Sequence, residues 1–101
     1  MLHQTLADIF TTFKKLKVLV IGDVMLDAYI YGAVERISPE APVPILNMKS
    51  RDQRLGGAAN VALNIQSLGA IPILCSVIGE DVPGNEFLGL MASSGLRIDG
   101  I

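Results

Sequence analysis

Two consecutive glycines followed at once by a helical pattern are the feature that most constrains the fold of this 101-residue chain. They open the stretch LGGAANVALNIQSLGA, residues 55–70, where apolar side chains recur at the three- and four-residue spacing of a helix with one half-buried face. Gly69 is a helix stop signal. The sequence therefore predicts a Gly-Gly loop, a helix and a turn, in this order. The residues predicted on the buried face are Ala58, Val61, Ala62, Ile65 and Leu68.

The start of this helix is also a candidate binding site. Gly56 and Gly57 have no Cβ, so their backbone can take a positive φ and lie close to a small molecule. The free N–H groups of a helix N-terminus favour oxygen-rich ligands, and the amide of Asn60 in the first turn can bond a sugar hydroxyl. The alternative is an ordinary loop that leads into a helix, with Asn60 as a local cap.

Two short apolar runs flank this region. Residues 17–22, KVLVIG, predict a strand buried on both faces, as in a parallel sheet, and residues 71–79 predict a second buried strand. Cys75 lies in the second run and is expected to be buried. Parallel strands joined through a helix form a βαβ unit, so the sequence predicts an α/β fold.

Capping residues predict two further helices. Thr5 precedes an apolar stripe and is the expected N-cap of a first helix that packs on the rest of the chain. Asp81 and Pro83 begin another helix, which Gly95 ends.

Two aspartates follow the first predicted strand, in the loop DVMLD. They are Asp23 and Asp27. Loops after the carboxyl ends of parallel strands are where open α/β sheets bind ligands. A carboxylate can accept hydrogen bonds from two neighbouring sugar hydroxyls, which makes either aspartate a candidate sugar ligand. The alternative for each is that it only caps the loop backbone.

Residues 28–55 have a different pattern, with three prolines in the string RISPEAPVPILNMK. Proline lacks the N–H that a central strand needs, so this region is predicted to form exposed, edge-like strands away from the parallel sheet. Arg36 and Arg54 in this region are candidate phosphate contacts. The alternative is a solvated charged surface.

Composition narrows the classes of partner. The net charge of -2 provides neither the basic surface typical of nucleic-acid binding nor a polybasic membrane patch. No apolar run reaches transmembrane length and the N-terminal residues lack a secretory pattern, so we expect a cytoplasmic location. The single cysteine excludes an intrachain disulfide and a cysteine metal cluster, and we predict no metal site. The expected partner is a small molecule or a second copy of the chain.

The string GGAANVALN resembles the first signature of the ribokinase, or PfkB-type, family of carbohydrate kinases. In that family the Gly-Gly pair, a following Asn, and an Asp five residues after the glycine that ends the first strand bind the sugar. The resemblance implies the N-terminal part of a three-layer α/β fold, with a sugar-binding loop and helix over residues 55–69. It also implies a small β lid, residues 28–55, that pairs with the lid of a second subunit in a homodimer. The substrate-binding residues that it implies are Asp27, Gly56, Gly57 and Asn60, with Asp23 secondary.

Three strings resemble one branch of the family more closely. GDVMLDAYIYG, ERISPEAPVPIL and GGAANVALNI, in this order, are similar to the N-terminal part of heptose 7-phosphate kinases. The resemblance implies transfer of a phosphoryl group from ATP, with Mg²⁺, to the anomeric hydroxyl of heptose 7-phosphate. The product would be heptose 1,7-bisphosphate, a precursor of ADP-heptose and the lipopolysaccharide core. Ala28 departs from the pattern, because these enzymes often have a basic residue there.

The family's nucleotide site and catalytic Asp belong to a GAGD motif in the C-terminal half, and this sequence contains no GAGD. The resemblance therefore implies no catalytic residue in residues 1–101, no ATP or Mg²⁺ bound by this segment alone, and no activity of the segment alone. No GxxxxGK[ST] motif is present and no GxGxxG follows the first strand, which argues against a P-loop NTPase or a dinucleotide enzyme. The remaining alternatives are a non-catalytic sugar-binding or dimerisation module and a kinase of this family for another sugar.

Overall fold

The computed structural model describes residues 4–101, without the side chains of residues 35 and 46–49. The predicted α/β class is confirmed, since a parallel strand pair packs with helices and a separate antiparallel hairpin extends from it. The elements in chain order are α1 (Leu6–Phe13), β1 (Lys17–Ile21), β2 (Val24–Ile37), β3 (Pro44–Gly57), α2 (Ala58–Ser67), β4 (Ile71–Cys75) and α3 (Val82–Ser93).

The parallel pair consists of β1 and β4, in register from Lys17 opposite Ile71 to Ile21 opposite Cys75. The β4 strand ends at Cys75, four residues earlier than predicted. The α2 helix, which precedes β4 in the chain, packs against both strands. The expected strand, helix and strand arrangement is therefore present, with the hairpin inserted before the helix.

The prediction that β1 is buried on both faces was wrong. Leu19 and Ile21 are 61% and 74% exposed, and Cys75 in β4 is exposed as well. Side chains alternate between the two faces of a strand, and the apolar core lies on the face that carries Val20 and Leu74. The described helices cover that face only, which leaves the other apolar face of the pair open.

The core joins α2, α3, β3 and β4. The α2 helix buries Ala59 and Ala62, whereas Val61 and Leu68 of the predicted stripe are about half exposed. The predicted stripe is therefore displaced by one position around the helix, because the small side chains, rather than the large ones, lie where α2 approaches the sheet and α3. The buried members of the core are Leu55, Ala59, Ala62, Leu74, Phe87, Met91 and Leu96.

The predicted helix ends are confirmed by their local geometry. Thr5 and Asp8 form a reciprocal capping box at the start of α1, and the carboxylate of Asp81 accepts the N–H of Gly84 at 2.8 Å at the start of α3. Gly69 and Gly95 follow α2 and α3 with φ of 99° and 74°. The α1 helix has no fully buried residue, and Ile9 and Phe13 of its predicted stripe are partly buried.

The antiparallel hairpin of β2 and β3 is the longest feature of the molecule. Each strand has 14 residues, and the pairing runs from Val24 opposite Gly57 to Ile37 opposite Pro44, with two register shifts. The molecule measures 67 Å along its longest axis, and its radius of gyration is 19.3 Å. A compact chain of this length would have a radius of gyration of about 13 Å. The hairpin therefore extends away from the core, as the proline pattern predicted. Within residues 4–101, no helix combines the length and apolar character needed to cross a membrane.

Candidate functional site

The base of the hairpin leads directly into α2 at Gly57. This residue ends β3 and is the N-cap of α2, with φ of 60° and ψ of -134°. A Cβ at Gly57 would lie 2.6 Å from the carbonyl oxygen of Asp23, and the same oxygen accepts the N–H of Ala58 at 2.8 Å. The prediction of a positive φ is correct for Gly57 but not for Gly56. Glycine at position 57 lets β3 turn sharply into α2 beside the end of β1.

The carboxylate of Asp27 lies against Gly56. The sequence places Asp27 in a loop, but in the structure it belongs to β2, opposite Arg54 of β3. A Cβ at Gly56 would lie 2.7 Å from Cγ and 2.9 Å from Oδ1 of Asp27. Gly56 is buried and Asp27 is half-buried. The first glycine of the pair therefore leaves room for a carboxylate next to the start of α2.

Asn60 lies in the first turn of α2 and is exposed. Within the described part of the chain, no side chain caps this helix, so Asn60 is not the local cap that the alternative interpretation required. The N–H of Ala58 donates to the carbonyl of Asp23, outside the helix, and the N–H groups of Ala59 and Asn60 lie in the first turn, where a helix provides no carbonyl partner. They and the Asn60 amide form a donor-rich surface directly after Gly57, suited to oxygen atoms of a ligand.

Arg54 is held on the same face of the hairpin as Asp27. Its Nε donates to Oδ2 of Asp52 at 2.8 Å, and its guanidinium carbon lies 4.9 Å from the ring centroid of Tyr29. The hydrogen bond to Asp52 is the main cause of the raised pKa of Arg54. Tyr31 stacks on Tyr29 with 6.4 Å between ring centroids. The tyrosines and Asp52 were not predicted as site residues, although their two-residue spacing from Asp27 and Arg54 indicates a common strand face.

Arg36 lies away from this site, and Asp23 contributes to it only its main chain. Arg36 is nine residues beyond Asp27 in β2 and exposed, which corresponds to about 30 Å along an extended strand. One monosaccharide cannot contact both. Asp23 is exposed and meets α2 through its main-chain carbonyl. The structure therefore brings together Asp27, Gly56 and Arg54 at the start of α2 and separates Arg36 from them.

The opposite face of the hairpin contacts α3. Gln53 donates from Nε2 to Oε2 of Glu86 at 2.6 Å, and both side chains are partly buried. Ala28 pairs with Gln53 across the hairpin and shares this face. The departure at position 28 is thus on the opposite side of β2 from Asp27. Nothing in the sequence pattern indicates the contact between positions 53 and 86, because they are 33 residues apart.

The sequence pattern of the pfkB family carbohydrate kinases matches residues 15–101. The chain belongs to this family. Its α/β fold is accordingly that of a pfkB carbohydrate kinase, and the resemblance to this family drawn from the motifs is confirmed.

Individual relatives within the pfkB family carry more specific names. The chain is 53% identical over 83 residues to D-beta-D-heptose 7-phosphate kinase of Bordetella bronchiseptica, which covers 82% of this chain and 26% of that protein. It is 54% identical over 78 residues to bifunctional protein HldE of Methylobacillus flagellatus, covering 77% of this chain and 16% of that protein. It is 48% identical over 85 residues to bifunctional protein HldE of Helicobacter pylori, covering 84% of this chain and 18% of that protein. The chain thus spans about a quarter or less of the length of these relatives.

Metal binding depends on which ligating side chains the described residues bring together. Among them, no three His, Cys, Asp or Glu side chains lie close enough together to hold a metal ion.

Proposed function

We propose that this chain is the sugar-binding and lid segment of an ATP-dependent kinase that phosphorylates heptose 7-phosphate at its anomeric hydroxyl. The product is heptose 1,7-bisphosphate, which leads to ADP-heptose and the lipopolysaccharide core, and we assign the reaction to the cytoplasm. The observation that carries the proposal is the position of the Asp27 carboxylate. It lies against Gly56, the residue before Gly57, which is the N-cap of α2. Identity of 53% to a protein named D-beta-D-heptose 7-phosphate kinase supports this substrate over other sugars.

In this proposal three elements hold the acceptor sugar. The Asp27 carboxylate accepts hydrogen bonds from two neighbouring hydroxyls, while Gly56 and Gly57 allow the ring to approach the main chain. Asn60 and the first N–H groups of α2 bind further oxygens. Together these groups orient the anomeric hydroxyl for attack, and orientation is a large part of catalysis in phosphoryl transfer.

Arg54 is the proposed contact for the 7-phosphate. Its guanidinium is exposed, lies opposite Asp27, and is held by Asp52 and the ring of Tyr29. Arginine binds phosphate oxygens in a bidentate manner, and an arginine that is already oriented loses less side-chain entropy on binding. Within one protomer Arg36 lies too far along β2 to bind the same sugar.

The nucleotide and Mg²⁺ belong to a part of the kinase outside residues 1–101. The described residues contain no acidic cluster suited to a metal, and the sequence contains no GAGD. ATP supplies the phosphoryl group, and the residues of this segment act on the acceptor only. We therefore propose that the segment alone has no kinase activity and that the exposed face of Leu19 and Ile21 packs against the rest of the kinase domain.

We propose further that the hairpin is a lid that pairs with its copy in a homodimer. It projects from the core and exposes apolar side chains in its outer part, among them Ile30 and Val34. Such surface is larger than isolated monomers usually leave open, and pairing of two lids would cover it in a closed twofold assembly.

The test uses the full-length protein, meaning this segment joined to the remainder that its relatives carry. ADP release is measured with ATP, Mg²⁺ and either heptose 7-phosphate, ribose or fructose 6-phosphate. We expect turnover that depends on heptose 7-phosphate and is at least tenfold less efficient with the other sugars. Equal or better use of another sugar contradicts the substrate assignment. A full-length protein that binds heptose 7-phosphate but transfers no phosphoryl group is a sugar-binding module instead.

A further inference from the structure

The hydrogen bond between Gln53 and Glu86 connects the base of the hairpin to α3. Its donor, Nε2 of Gln53, lies 2.6 Å from Oε2 of Glu86, and both side chains are partly buried. Glu86 is followed by the buried Phe87, so its position on α3 is fixed by the core. A hydrogen bond to a carboxylate is charge-assisted and stronger than one between neutral groups. The contact therefore holds the hairpin to a rigid part of the molecule.

This bond lies at the same level of the hairpin as the proposed sugar-binding residues. Gln53 directly precedes Arg54 in β3, and its cross-strand partner Ala28 directly follows Asp27 in β2. Successive side chains of a strand point to opposite faces. The bond to α3 thus fastens one face of the hairpin at the point where the other face carries Asp27 and Arg54.

The hairpin leaves the core close to this point. Leu55 is buried in the core beside it, whereas side chains farther out, such as Ile30, are more than half exposed. Rotation of the hairpin about its junction with α2 at Gly57 would move Asp27 and Arg54 relative to α2, which is anchored separately by Ala59 in the core. A bond from Gln53 to Glu86 resists that rotation.

We propose that Gln53 and Glu86 are positioning residues that clamp the lid at the angle at which Asp27 and Arg54 meet the sugar. The proposal deepens the function proposed above and rests on it for the identity of the ligand. Neither residue touches the sugar in this arrangement. Their effect is on acceptor binding, because they set where the sugar-binding face of the hairpin stands relative to the start of α2.

The first part of the test measures kinetics of the full-length protein. Gln53→Met keeps the side-chain length but removes the donor, and we expect it to raise the acceptor KM about 3- to 10-fold with kcat and the ATP KM within twofold of wild type. Glu86→Met should do the same, and the double variant should be no worse than either single variant, because one bond is lost in all three. Glu86→Gln keeps an acceptor oxygen and should restore an acceptor KM near that of wild type.

Gln66→Met is the matched control, because the amide of Gln66 in α2 bonds the carbonyl of Gly95 at 3.4 Å, away from the hairpin. It should leave all three kinetic constants unchanged. A loss of kcat and of the apparent affinities for both substrates together in Gln53→Met would indicate general destabilisation and overturn the proposal. Additive effects in the double variant would also overturn it.

The second part of the test does not depend on the sugar. Hydrogen exchange of the full-length protein is followed in residues 24–28 and 53–57, with no ligand added. We expect faster exchange in Gln53→Met and Glu86→Met but not in Gln66→Met. Unchanged exchange overturns the clamp whatever the substrate is. Faster exchange in a protein that does not phosphorylate heptose 7-phosphate supports the clamp and rejects the proposed function.

Discussion

The Asp27 carboxylate occupies the space that a side chain at position 56 would fill. A Cβ built on Gly56 would lie 2.7 Å from Cγ of Asp27, nearer than two such carbons can approach without displacement. The contact crosses the hairpin from β2 to β3, and Asp27 is only half-buried, so a side chain at position 56 would push the carboxylate away from this place. Glycine at this position is therefore a requirement of the neighbouring aspartate and not only of the turn into α2.

Gly56→Ala should displace Asp27 and impair the use of the acceptor. We expect acceptor kcat/KM of the full-length kinase to fall about 10- to 100-fold, since a displacement near 1 Å at a binding group can have an effect of this size. The KM for ATP should change little. Gly89→Ala is the matched control, because a Cβ at Gly89 meets nothing within 4 Å. It should keep wild-type kinetics, and acceptor kcat/KM of Gly56→Ala within twofold of wild type would contradict the role of Gly56.

Removing the polar side chains of the proposed sugar site should weaken acceptor use directly. Loss of a hydrogen bond to a charged group costs about 1.5–3 kcal/mol, so Asp27→Ala should lower acceptor kcat/KM roughly 10- to 150-fold. Asn60→Ala removes a neutral amide and should have a smaller effect. Both are measured at saturating ATP. If neither substitution changes acceptor kcat/KM, the assignment of the sugar site is wrong.

Two glycines with positive φ allow the backbone and steric effects to be separated. Gly57 has φ of 60° and its Cβ would lie 2.6 Å from the Asp23 carbonyl, whereas Gly69 has φ of 99° and only the side chain of Lys14 at 3.8 Å. Alanine in such conformations costs about 1–3 kcal/mol of the free energy of unfolding. Gly57→Ala would also bring its Cβ against the Asp23 carbonyl, so it should be less stable than Gly69→Ala. Urea unfolding of both variants checks the order, and equal stabilities would show that the contact at Gly57 relaxes without cost.

Features that depend on a few neighbouring residues were predictable from the sequence. The N-cap at Thr5, the cap by Asp81 and the stop at Gly69 each require only local chemistry, and the structure confirms them. The buried face of α2 was predicted one position away from its true place. An Ala-rich helix has several possible apolar faces, and the choice of Ala59 depends on how closely α2 approaches the sheet and α3.

Features that depend on pairing between distant segments were less predictable. Asp27 was expected in the loop after Gly22. The sequence gives no signal that this loop ends as early as Val24, where the long strand β2 begins. The register of the hairpin, with its two shifts, decides that Asp27 faces Arg54. Such a register is determined by turn geometry and by packing of the whole strand, which no short window of residues contains. The resemblance to a known family supplied Asp27 where the pattern alone left it open.

The outer part of the hairpin should mediate homodimer formation in the full-length protein. Ile30 and Val34 lie on the same face of β2 as Leu26, but are 54% and 57% exposed because they extend beyond the core. Charge placed there would be buried without a partner in a lid-to-lid interface, so Ile30→Lys combined with Val34→Lys should yield a monomer by light scattering at micromolar concentration. Leu6→Lys is the control. Leu6 is also apolar and is 74% exposed, but it belongs to α1, remote from the hairpin in the chain. The Leu6→Lys variant should therefore remain dimeric. A wild-type monomer, or a double variant that stays dimeric, would show that the lids do not form the interface.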